Sequence, residues 1–410
     1  MPTIGENLAR IRRALPLTQE QLAENAGISV ETIRKLERNE RTSARMETLH
    51  RIARALHVPT TALIGDASSA AARAEPTQRP LALLELRRVL MPARGLAGHR
   101  PAGPQPDQPP TLDAVRAELR RVDQTYHRND YAATITALPG LLTAARTAAG
   151  EADDTHREQA YAQVARAHHL TGNLLIQLRA GDLAYAALTA ALDAAERSGD
   201  QVISATVLQG MTWLLLRQGR LREAEDVAVS AADAIEPRFS RARPDDLAAW
   251  GWLLMSAAAA AARDNRPDDA STMIDSAAAA AVRIGERHPD GAHLMMVSGF
   301  DRQRVEMQRV ETAAVAGEPG RVLELAGDVR GGTAVTSSWH RHLLDVAWAH
   351  AEMGQHADAT EVLSGIKRSA PAWLRQQRYA RDIVETIARP RRRAMSTELT
   401  ELASLVGAEA

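Results

Sequence analysis

The chain is predicted to be all-α: a small five-helix domain at the N-terminus, followed by a solenoid of stacked helical hairpins. Three observations predict this. Aromatic residues are only 3% of a sequence that is 45% hydrophobic, so alanine and leucine must do most of the packing. That suits close-packed helices better than sheets rich in Val, Ile and Tyr. Apolar residues recur at three- and four-residue spacing through residues 4–64 and 111–389. Short turn signals also recur along the second of these segments.

Bulk composition narrows the function classes. The 50 Lys and Arg against 51 Asp and Glu leave a formal charge of -1. A uniformly basic nucleic-acid coat is excluded, but a local basic site is not. The absence of cysteine excludes disulfides, thiolate nucleophiles and Cys-ligated metal centres. A reducing compartment fits that composition. The N-terminus lacks the pattern of a signal peptide. The most apolar stretch, 253–262, is about half of the ~20 residues that a membrane span requires. A cytoplasmic protein without a membrane partner is expected.

Within residues 1–66, Ile4 to Ala14 reads as an amphipathic helix with Leu8, Ile11 and Leu15 inward. Thr18 and Gln21 form a capping box for a second helix. Gly27 permits a tight left-handed turn, Ser29 caps a third helix, and Asn39 closes it. A fourth helix is expected from about Ala44 to Leu56, and a short fifth from Thr60 to Ile64. Residues 67–110 read as a linker with six prolines from Pro92 to Pro110. It includes one amphipathic run, 81–91, in which Leu83, Leu86 and Leu90 share a face. Residues 111–389 carry the repeat and 390–410 a tail. Six turns fall at Asn129-Asp130, Gly181-Asp182, Gly219-Arg220, Asn265-Arg266, Gly317-Glu318 and Gly354-Gln355. Each is expected inside one αα-hairpin. Outer turns at 150–151, 199–200, 236–244, 289–291 and 331–332 separate the units. Single hairpins cannot bury their apolar faces alone, so they stack.

The segment LTQEQLAENAGISVETIRKLERNERTSARMETLHRIARALHV closely resembles the Cro/C1-type (XRE) helix-turn-helix domain. The matching parts are Thr18-Gln19-x-x-Leu22-Ala23, Gly27-Ile28-Ser29, Thr32-Ile33-x-x-Leu36-Glu37 and Leu49-x-x-Ile52-Ala53-x-Ala55-Leu56. Asn39 replaces the usual glycine after the Leu-Glu pair. The resemblance implies a double-stranded DNA partner. It places Val30, Glu31, Thr32 and Lys35 at base edges, Arg34 between bases and backbone, and Gln19 on a phosphate. Ser29 and Arg38 flank this face, and Arg41 and Arg45 are within reach of phosphates beyond the third helix. An α-helix fits the major groove, where base edges are readable. Residues 1–66 hold ten Lys/Arg against eight Asp/Glu. So weak a basic excess points to two copies on a near-palindromic operator.

The repeat array resembles the tetratricopeptide-like sensor domains joined to such readers in actinobacterial regulators, although its turn intervals are longer and uneven. In related peptide-pheromone (quorum-sensing) receptors, the concave groove binds a short peptide. A peptide or small-molecule effector is therefore implied here, with Arg166, His169, Asn173, Gln177, Gln209 and Trp213 as its candidate contacts. The array and the 81–91 helix are expected to build a homodimer. The proline-rich linker is expected to keep reader and array apart, so that any coupling runs through dimer geometry. The competing reading is a constitutive regulator, or a scaffold whose array binds a partner protein. No HExxH, phosphate loop or nucleophile elbow occurs, and His168-His169 and His340-x-His342 have the wrong spacing for one helix face. No metal, cofactor or enzymatic activity is expected.

Overall fold

The computed structural model describes residues 3–15, 17–41, 44–64, 83–92, 109–285, 299–329, 337–388 and 396–408. Among them are helices and no strand. The N-terminal domain is built from α1 (Ile4–Ala14), α2 (Gln19–Ala26), α3 (Val30–Glu37), α4 (Met46–Ala55) and α5 (Thr61–Ile64). Capping follows the sequence closely. The Thr18 hydroxyl accepts from the Gln21 amide, and Ser29 accepts from Thr32. Gly27 and Asn39 take left-handed φ values of 60° and 55°. Leu8, Leu22, Ile33, Leu36, Ile52 and Leu63 close the core.

Helix α6 (Leu84–Leu90) follows, and most of the proline-rich linker lies outside the described residues. Leu86 is fully buried against the array, where α6 packs on α8 and α10 (ranges below). Arg146 donates to the Val89 carbonyl at 2.8 Å, and Arg87 pairs with Asp182 at 3.1 Å. Of the two uses expected for this apolar face, docking on a neighbour or covering part of the following domain, the second is the one seen.

Six hairpins make the array: α7 (Leu112–His127) with α8 (Tyr131–Glu151), α9 (Arg157–Gln177) with α10 (Gly181–Ser198), and α11 (Gln201–Arg217) with α12 (Leu221–Ala234). Then come α13 (Pro244–Arg263) with α14 (Pro267–Ile284), α15 (Arg302–Ala316) with α16 (Pro319–Asp328), and α17 (Ser337–Glu352) with α18 (His356–Ser369). Their inner turns are copies of one another. In each, a left-handed residue ends the first helix: Asn129, Arg179, Gly219, Asn265, Gly317 or Gly354. The next residue's N–H then bonds the carbonyl five positions back, as from Asp130 to Thr125 at 3.2 Å and from Gln355 to His350 at 2.8 Å. This is the six-to-one closure that satisfies the orphan carbonyls at a helix end. In the second hairpin the left-handed position is Arg179, not Gly181, which opens α10 instead. The outer turns at 289–291 and 331–332 lie outside the described residues.

Helices α19 (Pro371–Leu374), α20 (Arg378–Ala388) and α21 (Thr397–Val406) complete the chain. The expected tail is thus partly structural: Leu399 and Leu402 are buried, and α21 packs on α18 and α20. Buried apolar residues of α6 to α11 and of α17 to α21 belong to one continuous cluster. The first and last parts of the array therefore share a core around an interior space.

His168 and His169 lie inside this packing, and burial lowers their pKa to about 3 and about 4. Both stay neutral in the folded chain, while the unfolded chain protonates them near the ordinary value of 6.5. Stability is therefore expected to hold above pH 6.5 and to fall as pH drops toward 4, by about 2 kcal/mol per histidine at pH 5. Urea unfolding at pH 7 and pH 5 measures this, and His168→Gln should flatten the dependence.

Candidate DNA-reading face and an enclosed chamber

The reading face starts from one buried ion pair. Glu37, at the end of α3, accepts Arg12 Nε at 2.7 Å and Arg12 Nη2 at 2.9 Å, and also Gln19 Nε2 at 2.6 Å. Arg12 Nη1 donates to the Leu17 carbonyl at 2.7 Å. Burial alone would raise the Glu37 carboxyl, yet Arg12 and Gln19 hold it below the usual range. This knot locks α1, the start of α2 and α3 into one rigid unit. Glu37 was visible in the sequence only as part of a motif, because its partners are 18 and 25 residues away.

Of the residues expected to meet DNA, Ser29, Val30, Glu31, Thr32, Arg34, Lys35 and Arg38 lie along α3 and its ends. Glu31, Lys35, Arg38 and Arg41 are exposed. Arg34 pairs with Glu20 at 2.7 Å, and Lys35 lies 3.5 Å from Glu31. Such surface pairs are weak and exchangeable for a phosphate or a base edge. Gln19 sits at the start of α2 with its amide held by Glu37. Arg45 departs from expectation: it pairs with Asp382 of α20 at 3.1 Å, so it faces the array.

That pair belongs to a direct docking of the N-terminal domain on the array, where separation was expected. The rim of hairpin turns receives α4 and α5. Asp264 Oδ1 accepts the Thr61 N–H at 2.9 Å, and the Arg263 carbonyl accepts the Thr60 hydroxyl at 2.9 Å. His50 Nδ1 lies 3.0 Å from the same carbonyl, and Asn265 Nδ2 donates to the Val58 carbonyl at 3.2 Å. Arg54 donates to the Ala316 carbonyl. Met46 packs on Gly219, where the φ of 76° favours glycine and an added Cβ would lie 3.1 Å from Met46 Sδ. No residue of α3 takes part among the described contacts, so the reading face remains outward.

Docking leaves a half-open chamber of about 1350 Å³ between reader and array. Its wall is the first helix of each hairpin, and its roof is α4 with the α2–α3 turn. Of the residues expected to contact an effector, His169, Asn173, Gln177, Gln209 and Trp213 all line it. Asn173 Nδ2 and His169 Nε2 are 3.2 Å apart. Arg166 does not line it. It lies nearer the start of α9, where Asp200 and Arg116 influence its charge. Sequence reading missed Arg217, Trp252, Arg304, Arg341 and Tyr379 in the wall, and His50, Arg51 and Arg54 in the roof. Arg217 was findable, because Gln209, Trp213 and Arg217 recur every four residues on α11. The roof was not, since only tertiary docking brings it there. Among the described residues no group of His, Asp and Glu could hold a metal ion, and no helix is long and apolar enough to cross a membrane.

Replacing Asp264 by Ala should loosen the dock without unfolding the array. The Thr61 N–H then loses its buried acceptor, at a cost of about 1–3 kcal/mol. Hydrogen exchange at residues 60–64 is expected to quicken several-fold while α9 and α10 stay protected. Unchanged exchange at 60–64 would contradict this role.

Comparison with known proteins agrees with the geometry of the N-terminal domain. Residues 8–63 match the helix-turn-helix family model. No curated protein matches the chain. The match and the capped α2–turn–α3 unit together identify residues 8–63 as an XRE-family helix-turn-helix domain and the chain, at that level, as a DNA-binding regulator.

Proposed function

We propose that this chain is a cytoplasmic, sequence-specific transcriptional regulator that binds a near-palindromic operator as a homodimer. An effector in the chamber, a small molecule or a short peptide, tunes its DNA binding. No catalytic step is assigned to it. One observation carries the reading: the DNA-reading domain itself roofs the chamber, through His50, Arg51 and Arg54 of α4. A ligand that favours either the docked or the released arrangement must shift DNA affinity by its difference in affinity for the two. Two copies would double the contacts that a weakly basic reader makes.

Gel shifts with the full chain at stated salt test the first half, because counterion release makes affinity salt-dependent. A preferred site bound well above bulk DNA is expected, along with a dimer by light scattering. In the reading face, Lys35→Ala and Glu31→Ala should change which bases are preferred, each by about 1–3 kcal/mol of discrimination. Arg41→Ala should weaken all sites alike. Site preferences left identical in both α3 variants would refute the assigned face. Operator affinity that host extract does not alter would favour a constitutive regulator, and the absence of any preferred site would favour a protein-binding scaffold.

A further inference from the structure

With Glu47, Glu352 and Asp382 grouped at one side, arginines and acids both line the reader end of the chamber. There Arg217, Arg263 and Arg341 face Glu311 and Asp345. Arg263 and Glu311 form an ion pair. Burial pushes the Asp345 carboxyl well up toward its neutral form, even beside Arg341, and Asp345 bonds the Tyr379 hydroxyl. Asp345 and Glu311 still act on Arg341 and raise its pKa despite burial, so Arg217 is the one of the three arginines without such an acid. Arg217 enters no ion pair among the described residues, and burial together with Arg341, Arg179 and Arg263 lowers its pKa to about 10. Arg341 Nε is buried without a hydrogen-bond partner.

The position of Arg217 decides what this charge faces. More than a third of its surface is exposed although protein surrounds it, so the exposed part looks into the chamber. Its guanidinium carbon stands 6.0 Å from the Trp213 ring centroid. Gln209 Oε1, one turn before Trp213, is buried and unpartnered. A guanidinium without an ion pair, an indole and an orphan amide oxygen thus share one wall, that of α11, and the Arg341 guanidinium with its orphan N–H lines the same chamber from α17. Like charges crowded together with unmet hydrogen bonds cost stability, and a bound anion relieves both. Guanidinium groups bind carboxylates and phosphates through paired N–H donors.

We propose that the chamber binds a small organic anion, with its acidic group on Arg217 and Arg341 beneath α4 and a flat, largely apolar body against Trp213. Its regulatory meaning rests on the function proposed above, but its binding does not. A volume of about 1350 Å³ exceeds the roughly 300–1,000 Å³ of ordinary ligand pockets, which leaves room for water beside such a molecule.

Calorimetric titration of the full chain, without DNA, tests this with 2-naphthoate, 2-naphthyl phosphate and neutral 2-naphthamide. Saturable binding of at least one anion is expected, with the amide at least tenfold weaker, about 1.4 kcal/mol. Tighter binding of the carboxylate assigns a carboxylic acid, and tighter binding of the phosphate assigns a phosphate ester. Arg217→Gln should weaken the anion at least tenfold, while Arg217→Lys, which keeps the charge, should retain part of the affinity. Arg197→Gln, at the cation–π pair with Tyr161, should change nothing. The proposal is overturned if neither anion binds at millimolar concentration, if the amide binds as tightly as the acids, or if Arg217→Gln binds them unchanged. Anion binding with no change in operator affinity would sink the effector role and leave the anion site standing. A neutral effector that alters operator affinity, when neither anion binds, would do the reverse.

Discussion

One buried carboxylate at a hairpin turn fixes how the two halves of this chain meet. Asp264 ends α13, and its side chain is 1% exposed. A helix begins with N–H groups that have no partner of their own. Helix α5 meets that need across the domain boundary, because Thr61 N–H donates to Asp264 and Thr60 donates to the neighbouring carbonyl. Arg266 balances the carboxylate at 3.3 Å and also pairs with Glu225 and Asp269. The array therefore caps a helix of the reader, and neither half satisfies these groups alone.

Two consequences follow for function. Docking through α4 and α5 leaves α3 outward, so a roofed, half-open chamber and an outward α3 coexist in one arrangement. The knot of Arg12, Glu37 and Gln19 joins α1, α2 and α3 into one stiff unit, and α4 packs on that unit through α2. The repeat supplies the other half of the device. Six turns with the same closure set the first helices side by side, and those helices bring their polar residues to a common interior.

Much of this was legible in the sequence. Caps at Thr18 and Ser29, turns at Gly27 and Asn39, and the spacing of Leu22, Ile33, Leu36 and Ile52 depend on near neighbours, and local chemistry dictates them. The hairpin turns were legible for the same reason, apart from Arg179, whose left-handed backbone no glycine or asparagine announces. His169, Asn173, Gln177, Gln209 and Trp213 were placed together from helical spacing, and they do share a wall. Arg166 failed because it shares their angular face but lies nearest the start of α9, about 16 Å along the axis from Gln177, beyond the chamber's far end and near Asp200 and Arg116. Arg45 and the roof of the chamber were illegible in principle. Their partners lie hundreds of residues away and leave no periodic trace, as with Arg45 and Asp382 at a separation of 337.

The central claim is that the reader sits on the array in a fixed pose. Because the chain has no cysteine, two can be introduced without background labelling. Spin labels at Arg13→Cys on α1 and Ser271→Cys on α14, both exposed positions, report the distance between the halves by pulsed electron resonance. A single narrow distance in the free protein is the predicted result, broadening when Asp264→Ala is added. A broad distribution in the unaltered chain would mean that the reader moves freely on its linker, and would contradict the docked arrangement.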